Sequence, residues 1–276
     1  AWVGGIDWKH FQYDHVKQGK RQVGSTFKPF VYATAIMNLG MTPCSTVSNA
    51  TYTKGDWVVE GNGGNLTLRD ALAHSKNPVA VRLIESVSPK KVIQLARDLG
   101  VTEEMPNEYA IALGSSDITI YEMLGAYSSF ANFGNYIKPE MVWRIEDANG
   151  RVIKEVKNET KEVMNEMYAY TMIDLMKGVT RFGTASGQLR RMGIPETVEI
   201  AGKTGTTQNN SDGWFMGITP NLATGVWVGW EDRATHFWST GEGQGARMAL
   251  PIWGIFMKKI WADKELGITP DDKFAK

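Results

Sequence analysis

The sequence predicts an α+β domain, an antiparallel sheet flanked by helices, and three observations carry that prediction. Strand-like runs cluster toward the two ends of the chain, helical periodicity fills the middle, and no linker or internal repeat divides it. The 276 residues are enough for a sizeable core, and 42% apolar with 22% charged residues is ordinary globular composition.

"AWVGGID" at the start reads as the middle of a strand, followed by a polar approach to Gly24. From Ser25 to Leu39, Phe27, Phe30, Val31, Thr34, Ala35 and Met37 recur at near-helical spacing, and Gly40 stops the pattern. Pro29 is tolerable there because it falls in the first turn. Residues 41–66, rich in Ser, Thr, Asn and Gly, read as a long surface excursion. Short helices are expected over Thr67–His74 and Pro78–Val87, then from Pro89 to Gly100 and from Thr119 to Phe133. "MVWRIEDANGRVIKEV" alternates around Asn149–Gly150, a strong hairpin signal. A helix over about Asn165–Thr180 precedes three strand-like runs, "TVEIAGKTGT", "GWFMGITP" and "ATGVWVGWED", and a helix around Ala249–Trp261 follows. The terminal strands are expected to share one sheet.

Thirty basic residues balance thirty acidic ones, so no global field favours nucleic acid or an anionic membrane. The lone Cys44 excludes an intrachain disulfide and a multi-cysteine metal site. His10, His15, His74 and His236 have no ligand spacing, so neither a metal nor a cofactor is expected. No apolar run approaches the roughly 18 residues that span a bilayer. "AGKTGT" ends like a phosphate-binding loop, but that pattern requires glycine where Thr197 stands.

Three polar signatures then stand out, "STFK" (Ser25–Lys28), "SKN" (Ser75–Asn77) and "KTGT" (Lys203–Thr206), each at an element boundary. Each alone is weak, because such residues also make ordinary caps and turns. Together they supply the parts of nucleophilic catalysis. A serine hydroxyl needs a base to remove its proton, and positions i and i+3 of a helix share a face, so Lys28 can serve Ser25. A lysine is a base only when its pKa falls from about 10.4. Burial among Phe27, Pro29 and Phe30, the positive helix start and the second cation Lys203 all act in that direction. The Ser25 N–H in the helix's first turn and the Thr206 N–H could hold an oxyanion, with Gly205 allowing a substrate to approach the strand closely. Lys203, Thr204 and Thr206 would face a substrate carboxylate, Ser75 would relay a proton to a leaving amine, and Asn77 would bond a substrate amide. Trp57, Tyr109, Trp230, Phe237 and Trp238 are candidates for a groove wall.

The whole of residues 1–276 resembles the transpeptidase domain of class A penicillin-binding proteins, within the penicilloyl-serine-transferase superfamily. "KRQVGSTFKPFVYATAI" is similar to the family's active-serine segment, "ALAHSKNPVAVRL" to its second motif, and "GKTGTTQNNSDGWFMGITPNLATGVWVG" to its third. "YIKPEMVWRIEDANGRVI" matches the family's hairpin, and "GARMALPIWGIFM" its closing helix. The resemblance implies an antiparallel sheet of about five strands between helices. It also implies a D,D-transpeptidase that works outside the cytoplasm, forms an acyl-enzyme on Ser25, and joins peptidoglycan stem peptides as donor and acceptor. β-Lactams would be covalent inhibitors. An upstream glycosyltransferase domain and membrane anchor are implied for the parent protein, so glycan polymerisation is not expected of these residues. S-K-N in place of S-D-N favours this group over class A β-lactamases. A hydrolase, carboxypeptidase or β-lactamase, would use the same acyl-enzyme and needs a deacylating base, for which Glu103, Glu104 and Glu108 are the loop candidates. A non-catalytic β-lactam-sensing domain on the same fold is the third possibility.

Overall fold

The computed structural model describes residues 2–5, 7 and 9–275. In chain order, β1 (Lys20–Gln22) leads through a 3₁₀ turn, Gly24–Phe27, into α1 (Lys28–Leu39). The hairpin β2 (Thr46–Lys54) and β3 (Trp57–Thr67) precedes α2 (Leu68–Ala73), α3 (Asn77–Val87) and α4 (Pro89–Asp98). A 3₁₀ turn, Tyr109–Leu113, then leads to β4 (Asp117–Thr119) and α5 (Ile120–Ala131). Four short strands follow, β5 (Asn135–Ile137), β6 (Arg144–Glu146), β7 (Val152–Glu155) and β8 (Thr160–Glu162), and then α6 (Glu166–Arg181) and α7 (Ser186–Arg191). The chain continues through β9 (Ala201–Thr206), β10 (Asp212–Thr219), β11 (Leu222–Gly229), α8 (Thr240–Gly243) and α9 (Gly245–Ala262).

Local chemistry sets the helix ends. The Thr67 hydroxyl accepts from Asp70 N at 3.0 Å, Thr119 from Glu122 N at 3.2 Å, and Asn165 Oδ1 from Tyr168 N at 2.9 Å. Each satisfies an N–H that the first helical turn leaves orphaned. α1 begins with Pro29 in its first turn and ends on left-handed Gly40. Its residues from Lys28 to Ile36 are all buried, so it is a helix covered on every side. Phe30 anchors it, with ring centroids 5.2 Å from Phe27, 5.7 Å from Tyr127 and 6.2 Å from Phe130.

The sheet that matters for the site is antiparallel, in the order β11-β10-β9, with β10 buried along its whole length. α9 lies across one face: Trp253 packs edge-on to Phe215 at 5.1 Å, and a Cβ on Gly217 would stand 2.5 Å from the Trp253 indole. α5 covers the other face through Ile120, which lies against Gly225. Lys203 pairs with Met216 and Gly205 with Trp214, so Lys203 and Gly205 share the face opposite α9.

Three expectations change. Residues 41–66 are largely a hairpin, β2–β3, not a loop; only Val59 of β3 is buried, so no period-two pattern marked it, and two register shifts break the ladder. Trp2–Gly5 and Asp7 of the expected first strand lie in no strand, and Ala1 and Ile6 are outside the described residues. The largest sheet among the described residues accordingly has three strands, with further antiparallel pairs β1–β4, β2–β3, β5–β8 and β6–β7 standing apart. The mixed, antiparallel class and the hairpin around Asn149–Gly150 are as expected. The helix expected from Ser25 is a 3₁₀ turn until Lys28, and the closing helix starts at Gly245.

The approach to Ser25 is clamped. Val23 N donates to Ser116 O at 3.2 Å and Gly24 N to Gly114 O at 3.1 Å. Gly114 is left-handed (φ +76°), and a Cβ there would stand 1.9 Å from Gly24 O. Gly114→Ala is therefore expected to lower stability by more than the roughly 1–2 kcal/mol of a left-handed residue alone. Urea unfolding measures it, and an unshifted midpoint would show that this clamp does not hold the segment.

Candidate active site

The hydroxyl of Ser25 sits in the 3₁₀ turn at the entry to α1, partly exposed on an otherwise buried segment. Lys28, the first α-helical residue, is fully buried. Its Nζ reaches the loop between α2 and α3, 2.6 Å from Ser75 O, 3.0 Å from Ser75 Oγ and 2.6 Å from Asn77 Oδ1. Lys203, also fully buried, donates from β9 to Ser75 Oγ at 2.9 Å and to Thr204 O at 3.1 Å. The three signatures thus converge on one cluster, with Ser75 between the two lysines.

Ser75 is held there by a helix ending. Lys76 N bonds Ala71 O at 2.9 Å and Ser75 N bonds Leu72 O at 3.1 Å, the paired closure of a Schellman motif. The residue at this position must be left-handed, and Ser75 is, with φ 55°. Glycine would be the unstrained choice. A serine in its place spends backbone energy to bring a hydroxyl between two amines.

Burial pushes the Lys28 pKa well below that of an ordinary ammonium, and the charge of Lys203 lowers it further. Burial brings Lys203 down to about 7. Lys28 Nζ donates to three neutral oxygens, Ser75 O, Ser75 Oγ and Asn77 Oδ1, so no anion offsets its charge there. Lys203 Nζ donates to the same Ser75 hydroxyl, which therefore joins the two amines. The expected bond from Lys28 to Ser25 Oγ is not formed; among the described residues the Lys28 amine is occupied by the Ser75–Asn77 loop.

Two N–H groups face the gap beside Ser25. Thr207 N bonds Asp212 O at 3.2 Å, so in the antiparallel alternation the Thr206–Gly213 pair is not hydrogen-bonded and the Thr206 N–H points off the sheet edge. That edge meets the Ser25 turn, since a Cβ on left-handed Gly24 would be 2.7 Å from Thr206 O. The Ser25 N–H has no backbone acceptor among the described residues. Thr26 Cγ2, Val23 O and Trp214 Cβ would lie 2.8, 2.9 and 3.0 Å from a Cβ on Gly205, so the glycine admits the Ser25 turn against β9.

Thr206 Oγ1 accepts from Gly245 N at 3.1 Å, and Thr204 Oγ1 bonds Thr184 Oγ1 at 2.7 Å. Thr184, which nothing in the sequence singled out, also donates its N–H to Ala73 O at 3.0 Å and so ties the "SKN" loop to β9. Among the aromatic candidates, Phe237 lies against the β9–β10 turn, its N–H to Asn210 O at 3.4 Å. Trp57 packs with Tyr52 on the β2–β3 hairpin, Tyr109 carries Lys54 Nζ 3.9 Å over its ring, and Trp230 and Trp238 project into solvent. Glu103 pairs with Lys20 at 2.8 Å, and Glu104 and Glu108 are exposed. None of the three is bonded to the cluster. No metal-binding group of His, Cys, Asp and Glu occurs among the described residues, and no helix among them is long and apolar enough to cross a membrane.

Comparison with known proteins shows the family and the fold. Residues 11–231 match the family model described as the penicillin binding protein transpeptidase domain. "Penicillin-binding protein 1A" of Aquifex aeolicus is 36% identical over 99% of this chain, and that of Neisseria meningitidis is 34% identical over 94%. The chain spans 38% and 34% of their respective lengths. The fold is shared with the crystal structure of penicillin-binding protein 1A from Haemophilus influenzae (TM-score 0.86, 24% identity, 99% of this chain and 46% of that one). It is also shared with PonA1 from Mycobacterium tuberculosis (TM-score 0.82, 24% identity, 99% and 75%). With the family model covering most of its length and its three signatures gathered at one cluster, the chain belongs to the penicillin-binding protein transpeptidase family.

Proposed function

We propose that this chain is a serine D,D-transpeptidase domain that cross-links peptidoglycan stem peptides outside the cytoplasm and is acylated by β-lactams. The observation that carries the reading is the fully buried amine of Lys28, hydrogen-bonded to Ser75 and one helical turn from Ser25, with burial holding its pKa below that of an ordinary ammonium. Ser25 Oγ attacks the carbonyl between two terminal D-alanines while its proton passes to Lys28, which turns from the Ser75–Asn77 loop to receive it. The oxyanion lies between the Ser25 and Thr206 N–H groups. As the tetrahedral intermediate collapses, the proton moves through Ser75 to the departing D-alanine amine. An amine of a second stem peptide then attacks the acyl-enzyme, gives up its proton by the reverse path and frees Ser25. Asn77 bonds the substrate amide, and Lys203, Thr204 and Thr206 face its carboxylate. The edge position of β9 suits an extended peptide added as a strand.

A hydrolase would need a base beside the acyl-enzyme for rapid deacylation. The carboxylates proposed for it stand elsewhere, Glu103 in an ion pair with Lys20, which favours an acyl-enzyme that waits for an amine.

Ser25→Ala is expected to abolish covalent labelling by a fluorescent penicillin, localised by peptide mapping; retained labelling would refute the nucleophile. Lys28→Ala should slow acylation by about 10²–10⁴-fold, the usual worth of a positioned base. An unchanged stopped-flow rate would remove Lys28 from the proton path. Lys203 also links pH to stability. Its folded pKa, about 7, lies below the unfolded 10.5, so between those values the unfolded chain binds more protons and stability rises with pH. Lys203→Met should flatten that rise in urea unfolding between pH 7 and about 10; an equally steep profile would place the linked proton on another group.

A further inference from the structure

One buried charge pair stands outside the proposed chemistry and touches both of its sides. Asp212, the first residue of β10, is wholly buried. Its Oδ1 accepts from Arg21 Nε at 2.7 Å and from Trp227 Nε1 at 3.0 Å. Its Oδ2 accepts from Ser211 Oγ at 2.7 Å and Thr207 Oγ1 at 3.1 Å. Four donors around one carboxylate leave it no alternative rotamer at equal energy. Arg21 is fixed in turn, donating through Nη1 to Glu231 O at 3.0 Å with its guanidinium 5.2 Å over the Trp227 ring.

The two ends of this network are what matter. Arg21 belongs to β1, which runs directly into Gly24 and Ser25, and the next residue, Gln22, accepts from Trp214 Nε1 at 2.9 Å. Thr207 directly follows Thr206, and its N–H bonds Asp212 O. The lead-in to the serine and the far end of β9 are therefore fastened to the same residue of β10. We propose that Arg21 and Asp212 are positioning residues, a brace that sets the separation of the Ser25 and Thr206 N–H groups. This rests on the reading of those two groups as the oxyanion site.

Stability alone gives no reason for a charged pair here. A buried ion pair is often matched or exceeded in stability by apolar residues of the same volume. What an apolar pair lacks is direction: the guanidinium fork fixes the angle as well as the distance between two strands. Oxyanion donors act on charge that exists only in the transition state, so a small error in their spacing is felt in rate before it is felt in substrate binding.

The test compares Arg21→Lys, which keeps the charge but cannot hold Asp212 and Glu231 O in one plane, with Asp212→Asn, which keeps the shape. Acylation by a chromogenic cephalosporin is resolved by stopped flow into a non-covalent dissociation constant and an acylation rate constant, normalised to the Ser25 that mass spectrometry shows to be acylable. Affinity for an arylboronic acid, whose adduct with serine presents a tetrahedral oxyanion, is measured beside the thermal midpoint. The brace predicts an acylation constant lower by about ten- to a hundredfold, a little under the loss of a whole oxyanion donor. Boronate affinity should weaken by the same factor while the non-covalent constant moves less than about twofold. Acylation and boronate affinity at wild-type values, whatever happens to the midpoint, would overturn it, as would loss confined to the non-covalent constant. Arg21→Lys decides alone if Asp212→Asn does not fold. A wild-type protein that forms no adduct on Ser25 would defeat the proposed function itself, an outcome distinct from failure of the brace.

Discussion

An amine taken wholly out of water must either find a counter-charge or lose its proton, and among the described residues no carboxylate bonds Lys28. Its neighbours are a backbone carbonyl, an amide oxygen and a hydroxyl, neutral acceptors that bring an ammonium no counter-charge. The burial comes from α1, whose residues from Lys28 to Ile36 are all buried. Catalytic potential is in this sense a by-product of core packing: the helix that must be buried to hold the domain together carries the lysine down with it.

The second constraint is closeness. Three elements distant in the chain have to place polar atoms within hydrogen-bonding distance, and the backbone yields to let them. Gly24 turns left-handed against Thr206, Gly205 omits a side chain so that Thr26 and Val23 can approach, and Ser75 accepts a left-handed conformation that glycine would occupy more easily. Positive φ is not confined to this cluster, since Ser88 between α3 and α4 (φ 83°) and Phe133 after α5 (φ 54°) share it. Thr184 and the Arg21–Asp212 pair belong to the same economy, since each joins segments that carry the reacting groups without carrying one itself.

Much of this was legible in the residues, and the parts that were not share a cause. The caps at Thr67, Thr119 and Asn165, the stop at Gly40 and the Asn149–Gly150 turn act over a few residues, so their patterns survive in one dimension. The hairpin of residues 46–67 did not show because only Val59 of β3 is buried and the run from Asn62 to Asn65 is exposed. Arg21 and Asp212 look like surface charges in the sequence; only their mutual burial distinguishes them. Thr184 has no local pattern at all, being defined by its contacts with Ala73 and Thr204.

By itself the sequence determined the helical and strand periodicities, the order of the three signatures and the chemistry that their residue types permit, because each depends on covalent neighbours and on spacing along one element. Only the tertiary structure decided that Lys28 turns toward Ser75 rather than Ser25, that Gly205 makes room for the Ser25 turn, and that one carboxylate fastens both the lead-in to Ser25 and the far end of β9. Those outcomes depend on distance and desolvation between segments remote in the chain, and neither quantity exists until the chain has closed on itself.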